Sequence, residues 1–417
     1  MSYKKLFIFI ILISVLLSFS LIYWWSQTSE DNRMNEVSWG MVNQTYGAIT
    51  YGGLDGERAN SLVVTSDGGF ALAGHTRTLG AGLSDFWLVK TDKQGNMEWN
   101  QHYGGEERDI AYSLIETSDG GYALIGKILY YSNVSRRSNI WLVKTDSFGV
   151  MEWNQTYGGE FTDDVSSLVE ASDGGFVFAG TTQFSSSGNG YAWLVKTDSF
   201  GVMEWNQTYG GIDTDRVHSL IKTSDGGYAL GVQRDMIETI PHMDTDIVLI
   251  KTDSFGVMEW NQTYGGAERD MVSSLVEASD GGFALAATTY SFGVGGGDFW
   301  LVKTDSFGVM EWNQTYGGTE LDNARSLIVT SDGGYALAGS RADSGFGNDD
   351  LLFAKSDEFG NLEWSWFYGG SGDDWVNSLV EVSDGGFVLA GWTNSFGAGD
   401  DDVFFVRANI ENMSEIP

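Results

Sequence analysis

Seven times the chain spells Ser-Asp-Gly-Gly followed by Phe or Tyr, with the aspartates at Asp67, Asp119, Asp173, Asp225, Asp280, Asp332 and Asp384. Successive copies lie 52, 54, 52, 55, 52 and 52 residues apart. A period near fifty with strand-like content describes a closed array of small sheets, and the copies count its members. The repeat fills residues 42–408 without a break. It therefore overrides the two or three average domains that the length alone would suggest. Fifty-six glycines, only two prolines and 14% aromatic residues suit many short strands joined by tight turns.

The copy around Asp280 shows the unit. Four strands are predicted, at about Val272–Ala278, Phe283–Thr288, Phe299–Thr304 and Met310–Tyr316. Each is short, rich in β-branched and aromatic residues, and bounded by turn residues. Four antiparallel strands make one blade, so the fold class is an all-β, seven-bladed β-propeller. The fourth strands carry Trp99, Trp153, Trp205, Trp260, Trp312 and Trp364, expected to be buried between neighbouring blades. The stretch 141–159 recurs identically at 193–211 and 300–318, which marks internal duplication.

The last copy starts at Asp374 and supplies only three strands, ending near Arg407. Residues of about 44–51 are predicted to supply the fourth. Tyr51 lies ten residues before Ser61, as the Tyr of every Tyr-Gly-Gly does in its own copy. This pairing would close the ring and leave no open sheet edge. In this register Gly47 takes the Trp position; the motif at Asn43 offers another register four or five residues away.

Residues 1–27 read as a signal anchor. Lys4 and Lys5 precede Leu6 to Trp25, twenty residues without a charge, enough to cross a bilayer core as a helix. The lysines set the cytoplasmic side, so the repeats are expected outside the cell membrane. Ser18-Phe19-Ser20 is a poor cleavage site; cleavage would make the protein secreted. Residues 28–41 form a linker and 409–417 a C-terminal tail.

The net charge of −34 argues against nucleic acid and anionic lipid surfaces, which require basic patches. The absence of cysteine removes disulfides, thiolate metal sites and a cysteine nucleophile. The four histidines occupy non-equivalent repeat positions, and no Ser-His-Asp order or phosphate-binding glycine loop emerges.

The Thr-Asp-x-x-Gly-x-x-x-Trp core of the third and fourth strands resembles the repeats of PQQ-type, tryptophan-docking propellers. The whole unit is more similar to the Ser-Asp-Gly-Gly-Tyr/Phe repeats of secreted archaeal and bacterial surface propeller proteins. That resemblance covers about 370 residues of the chain and implies the fold, with little about activity. The adjacent cysteine pair of PQQ enzymes is missing, which speaks against a quinone oxidoreductase.

Strand order places the Ser-Asp-Gly-Gly turns on one face and the variable loops on the other, where ligands are expected. Two features mark that face. An acid stands four residues before a serine in every copy: Glu57, Asp109, Asp163, Asp215, Asp270, Asp322 and Asp374. These carboxylates are expected to circle the channel mouth. They would either hold Ca²⁺ or accept backbone N–H groups of their own turns. The second feature is a pair of unusual loops carrying Tyr130, Tyr131, Arg136 and Arg137, and Arg234 and His242. Tyr and Arg are frequent interface anchors. His242, Asp244 and Asp246 read as an ordinary solvated loop before they read as metal ligands. Asn133 is a glycosylation candidate.

The sequence therefore reads as a membrane-anchored, extracytoplasmic, non-catalytic binding or scaffold module for protein or glycan partners. It requires no cofactor, with Ca²⁺ the ion its acids would suit. The alternatives are a carbohydrate-active or quinone-dependent enzyme with a site at the channel mouth, or a Ca²⁺-stabilised surface-layer component.

Overall fold

The protein's structure, a computed structural model, describes residues 48–131, 136–183, 189–211, 213–236, 245–342 and 349–408. Seven four-stranded antiparallel sheets follow one another. The fifth consists of Asp270–Glu277, Phe283–Thr289, Asp298–Thr304 and Met310–Tyr316, in that spatial order. The first strands of successive sheets touch one another around the whole ring, the seventh meeting the first. They therefore surround a central channel, and the fourth strands lie outermost.

The second and third strands of the fifth blade are buried along their entire length. Both faces of each sheet are covered by neighbours, so these strands read as continuous apolar runs rather than alternating ones. Each hydrophobic cluster spans two blades. Ile125, Ile140 and Leu142 of the second pack against Leu168, Phe176, Phe178 and Val195 of the third. Hydroxyls stitch the first strands together. Ser61 Oγ accepts from Leu114 N at 3.2 Å, Ser219 Oγ from Leu275 N at 3.1 Å, and Ser378 Oγ from Leu62 N at 3.1 Å across the chain ends.

The Ser-Asp-Gly-Gly turns owe their second residue to charge and their third to backbone geometry. Gly281 has φ of 80°, a conformation that favours glycine. Asp280 holds Lys303, whose Nζ lies 2.6 Å from Asp280 Oδ2, 2.8 Å from Glu311 Oε2 and 2.9 Å from Thr304 O. The same clasp is built on Lys90, Lys144, Lys196, Lys251 and Lys355, with Arg407 and Asp384 in the seventh blade. Burial works to raise the Asp67 carboxyl, but hydrogen bonds from Lys90, Thr65 and Gly69 outweigh it and hold it at about 2. This face is occupied by structural ion pairs.

In the seventh sheet, Ile49–Tyr51 pairs antiparallel with Asp402–Ala408, Ile49 lying opposite Phe405. Residues 44–47 of the expected strand, and the apolar segment Leu6 to Trp25, lie outside the described residues. Among the described residues no helix is long and apolar enough to cross a membrane. Tyr51 takes the socket that the register assigned to it. Its hydroxyl donates to Gly95 O, as Tyr103 donates to Gly149 O at 2.6 Å and Tyr316 to Gly360 O at 2.7 Å.

The outer-strand tryptophans differ from expectation. They are half-buried, because the fourth strand is the rim of the blade. Each leans onto the aromatic ring that follows the next blade's Ser-Asp-Gly-Gly turn. Trp99 meets Tyr122 edge-on at 5.8 Å, and Trp260 meets Phe283 at 5.8 Å. All but Trp364 also roof a turn glycine of that next blade: a Cβ on Gly149 would lie 2.7 Å from Trp99 Cζ3. At the seam between blades seven and one, Phe405 does this work from the third strand. Its ring meets Phe70 edge-on at 5.3 Å, and a Cβ on Gly95 would lie 2.8 Å from it.

Candidate functional site

The seven recurrent acids lie at the first-strand ends, and each is at most 2% exposed. They face the space between sheets rather than an open mouth. Local donors engage at least one oxygen of each, while Asp109 Oδ1, Asp215 Oδ2 and Asp322 Oδ1 are buried without a hydrogen-bond partner. Asp270 accepts from Gly266 N at 2.9 Å and Ser291 Oγ at 2.7 Å, and also from Thr289 Oγ1. Asp374 repeats this with Gly370 N at 2.8 Å, Ser395 Oγ at 2.7 Å and Thr393 Oγ1. Glu57 accepts from Gly53 N at 2.8 Å and Thr76 Oγ1 at 2.9 Å. The Gly N–H bond recurs in Asp109, Asp163 and Asp322 at 3.1, 2.9 and 3.0 Å. Asp215 takes the Arg234 Nε at 2.7 Å.

A second carboxyl from the preceding third strand joins the acid at several junctions. A Cβ on Gly104 would lie 1.9 Å from Asp85 Oδ1 and 2.6 Å from Asp109 Oδ2, and Gly317 stands in the same relation to Asp298 and Asp322. The first glycine of Tyr-Gly-Gly makes room for both. Among the described residues no group of three or more His, Asp or Glu is arranged to hold a metal ion.

Crowding has an electrostatic consequence. Burial pushes the Asp322 carboxyl up to about 7, against the charge of Arg341 and the Gly318 N–H, with Asp298 and Glu320 adding to the rise. A folded value above the unfolded one means the fold favours the protonated acid. Its contribution is fully present below about pH 4 and is lost as the pH rises towards 7. Asp322→Asn removes this titration. Its unfolding midpoint should change less between pH 4.5 and 7.5 than that of the unsubstituted protein; parallel midpoint curves would refute the assignment.

The residues that face the channel lie one place after the acid in the third to sixth blades and three places after it in all seven. The second of these is a β-bulge in all seven blades, between Val217 and Ser219 in the fourth and between Ala324 and Ser326 in the sixth. A bulge leaves one residue unpaired and re-aims its side chain. Around the ring the bulge residues are Asn60, Tyr112, Ser166, His218, Ser273, Arg325 and Asn377, and all seven line a cavity of about 690 Å³. The position one after the acid holds Arg58, Ile110, Asp164, Arg216, Met271, Asn323 and Trp375 in turn, of which Asp164, Arg216, Met271 and Asn323 line the same cavity. Copies that are otherwise close to identical therefore differ where they meet the channel.

One side of this channel is built around arginine. Arg58 lies 3.8 Å over the ring of Trp392, and Trp392 stacks on Trp375 at 5.9 Å with 11° between planes. Arg325 lies 5.1 Å over the ring of Trp375. Arg216 and Arg325 both act on His218. His218 is open to the channel, and crowding by the surrounding ring and then the charges of Arg325 and Arg216 lower its imidazole below the usual value. It is neutral at physiological pH and offers one donor and one acceptor.

The unusual loops are partly strands. Tyr122–Tyr131 and Arg136–Thr145, ten residues each, form a hairpin that pairs Tyr130 with Arg137 and Tyr131 with Arg136. Tyr130 is exposed there. Arg234 belongs to the strand Tyr228–Asp235 and is held by Asp215. Asn133, His242 and Asp244 lie outside the described residues. Sequence reasoning missed the bulge residues. Their signal was present: alternation along the first strand, combined with variation between otherwise repeated copies.

Ring, channel and variable lining define the chain as a seven-bladed β-propeller with an individual interior. No protein-family model matches it, so its place among PQQ-type or Ser-Asp-Gly-Gly repeats has no family match behind it. The regulatory protein FlaEY of Caulobacter vibrioides is 24% identical over 393 residues, which cover 86% of this chain and 37% of that protein. A protein of unknown function from Dyadobacter fermentans shares the fold with a TM-score of 0.52 at 11% identity, covering 87% of this chain and 97% of that one. A puromycin hydrolase variant gives 0.56 at 12% identity, covering 88% of this chain and 55% of the hydrolase. Puromycin hydrolase without that substitution gives 0.51 at 14% identity, over 86% and 54%. This corrects the expectation of a non-enzyme: the same fold occurs in a hydrolase, so the propeller does not settle enzymatic status.

Proposed function

We propose that the chain is a binding module, tethered to the cell membrane by its N-terminal apolar segment, with the ring on the extracytoplasmic side. Its partner is a protein or glycan that engages the channel and the hairpin tip at Tyr130. The strand Ile49–Tyr51 completes the seventh sheet. The observation that carries this reading is the channel lining. Duplicated blades repeat their packing residues and ion-pair clasps, and vary where they face the channel: Tyr112 against the serines Ser166 and Ser273, and Asp164 against Met271. Folding requirements act alike on every blade, so blade-specific residues at one concave surface point to recognition. The match to a protein named as regulatory agrees with a recognition role.

The test uses the full-length chain in detergent on arrays of glycans and of cell-surface proteins. Tyr112→Ala in the channel should abolish a specific signal. Phe307→Ser on the opposite face, where Phe307 is 70% exposed, should leave it intact. The reverse pattern would transfer the binding site to the turn face and sink the proposal.

A further inference from the structure

We propose that the channel binds an acidic saccharide, a uronate-type sugar whose carboxylate is received by Arg325 and Arg216. This rests on the reading of the channel as the binding site.

The first observation is an inversion of charge. The chain carries 57 acids against 23 Lys and Arg. The cavity lining carries Lys127, Arg216 and Arg325 against Asp164 alone. Lys127 is neutralised by Asp164 at 2.8 Å. Arg216 is paired with Asp235, which lies outside the lining. Arg325 is open to the channel and forms no ion pair among the described residues; Asp349 reaches it only through longer-range charge. In so acidic a protein, a channel guanidinium with no carboxylate bonded to it is a site kept for an incoming anion.

The second observation is preorganisation. Arg58 is fixed by Asp401 at 2.8 Å, Trp392 lies under Arg58, Trp375 stacks on Trp392, and Arg325 covers Trp375. This column holds the Arg325 guanidinium while leaving its N–H edge for a planar acceptor, the geometry that carboxylates accept in pairs. The face of Trp375 is covered, so the ligand is held by its edges.

The remaining lining selects the body of the ligand. Asn60 and Asn377 each give an amide hydrogen to a neighbouring carbonyl, at 2.7 and 2.9 Å; Asn377 Nδ2 also donates to Asn60 Oδ1 at 3.4 Å, and Asn377 Oδ1 is left for a donor. Asn323, Tyr112 and neutral His218 add further donors and acceptors to the same cavity. Amides, a phenol and an imidazole suit a ring of hydroxyls better than an apolar side chain. A volume of about 690 Å³ lies within the range of ordinary small-ligand sites, roughly 300–1,000 Å³.

The experiment is calorimetric titration of the full-length chain with digalacturonate and dimannuronate, and with their methyl esters, in EDTA at neutral pH. The esters keep the hydroxyls and lose the charge. At least one uronate should bind, with its ester about tenfold or more weaker. Arg325→Gln should weaken the uronate by about the same factor and leave the ester unchanged. Its melting temperature, compared with the unsubstituted protein, separates a lost contact from a damaged ring. Equal binding of uronate and ester, both lost in Tyr112→Ala, would overturn the acidic-ligand proposal and leave the channel reading standing. Binding unaffected by either substitution would overturn both, and no binding of either uronate would overturn the acidic-ligand proposal.

Discussion

Replacing Phe405 by Ala is expected to destabilise the ring by about 3–5 kcal/mol, the range for removing a buried Phe. The side chain is 1% exposed and packs against Tyr51 at 6.2 Å and Phe70 at 5.3 Å, both edge-on. Its position in the other blades is held by Leu88, Leu142, Leu194, Leu249 and Leu301, with Phe353 in the sixth. A Leu therefore fits this strand, and Phe405→Leu should cost less than the Ala change. It should still cost more than Leu301→Ile in the fifth blade, because an outer-strand tryptophan already stands over that junction. Denaturant midpoints measure all three. A Phe405→Leu variant as stable as the unsubstituted protein would show that the seam does not depend on this ring.

The second large effect is expected at Asp270. Asp270→Ala removes the acceptor of Gly266 N, Thr289 Oγ1 and Ser291 Oγ in a fully buried setting. Leaving such donors unpaired costs on the order of 3 kcal/mol. Asp270→Asn keeps an acceptor and should recover part of the loss. The pair separates two readings of the recurrent acids. A structural knot loses stability in Asp270→Ala whatever ligand is offered. A ligand-holding carboxylate would leave the melting curve in place and abolish binding alone.

The architecture was legible because its causes repeat. A tight turn every fifty-odd residues, strands too apolar to face water, and a last copy one strand short are linear features, and each survives averaging over seven copies. The acids were legible as a pattern and misleading as a position. Glu57 and Arg58 are adjacent in sequence, but a strand sends neighbours to opposite sides, so one is buried among its turn's donors and the other lies over Trp392. The column of Arg58, Trp392, Trp375 and Arg325 was not legible at all. Arg58 and Arg325 come from blades one and six, both tryptophans come from blade seven, and only ring closure brings them together. Phe405 shows the same limit: its size has a reason only when Phe70, more than three hundred residues away in sequence, is placed beside it.

The seam also bears on how a chain of near-copies finds its own ends. The outer-strand segments of blades two, three and five are identical, so during assembly any of them could anneal where another belongs. Tyr51 gives no protection, since six blades offer the same tyrosine socket. Phe405 fills the volume over Gly95 that a docking tryptophan takes elsewhere, and the strand that carries no tryptophan leaves that volume to it. A copy would have to share the space, as Trp364 shares it with Phe353 at 5.0 Å in the sixth blade. The joint is keyed by closeness of fit, which favours the chain's own end over a strand borrowed from another blade.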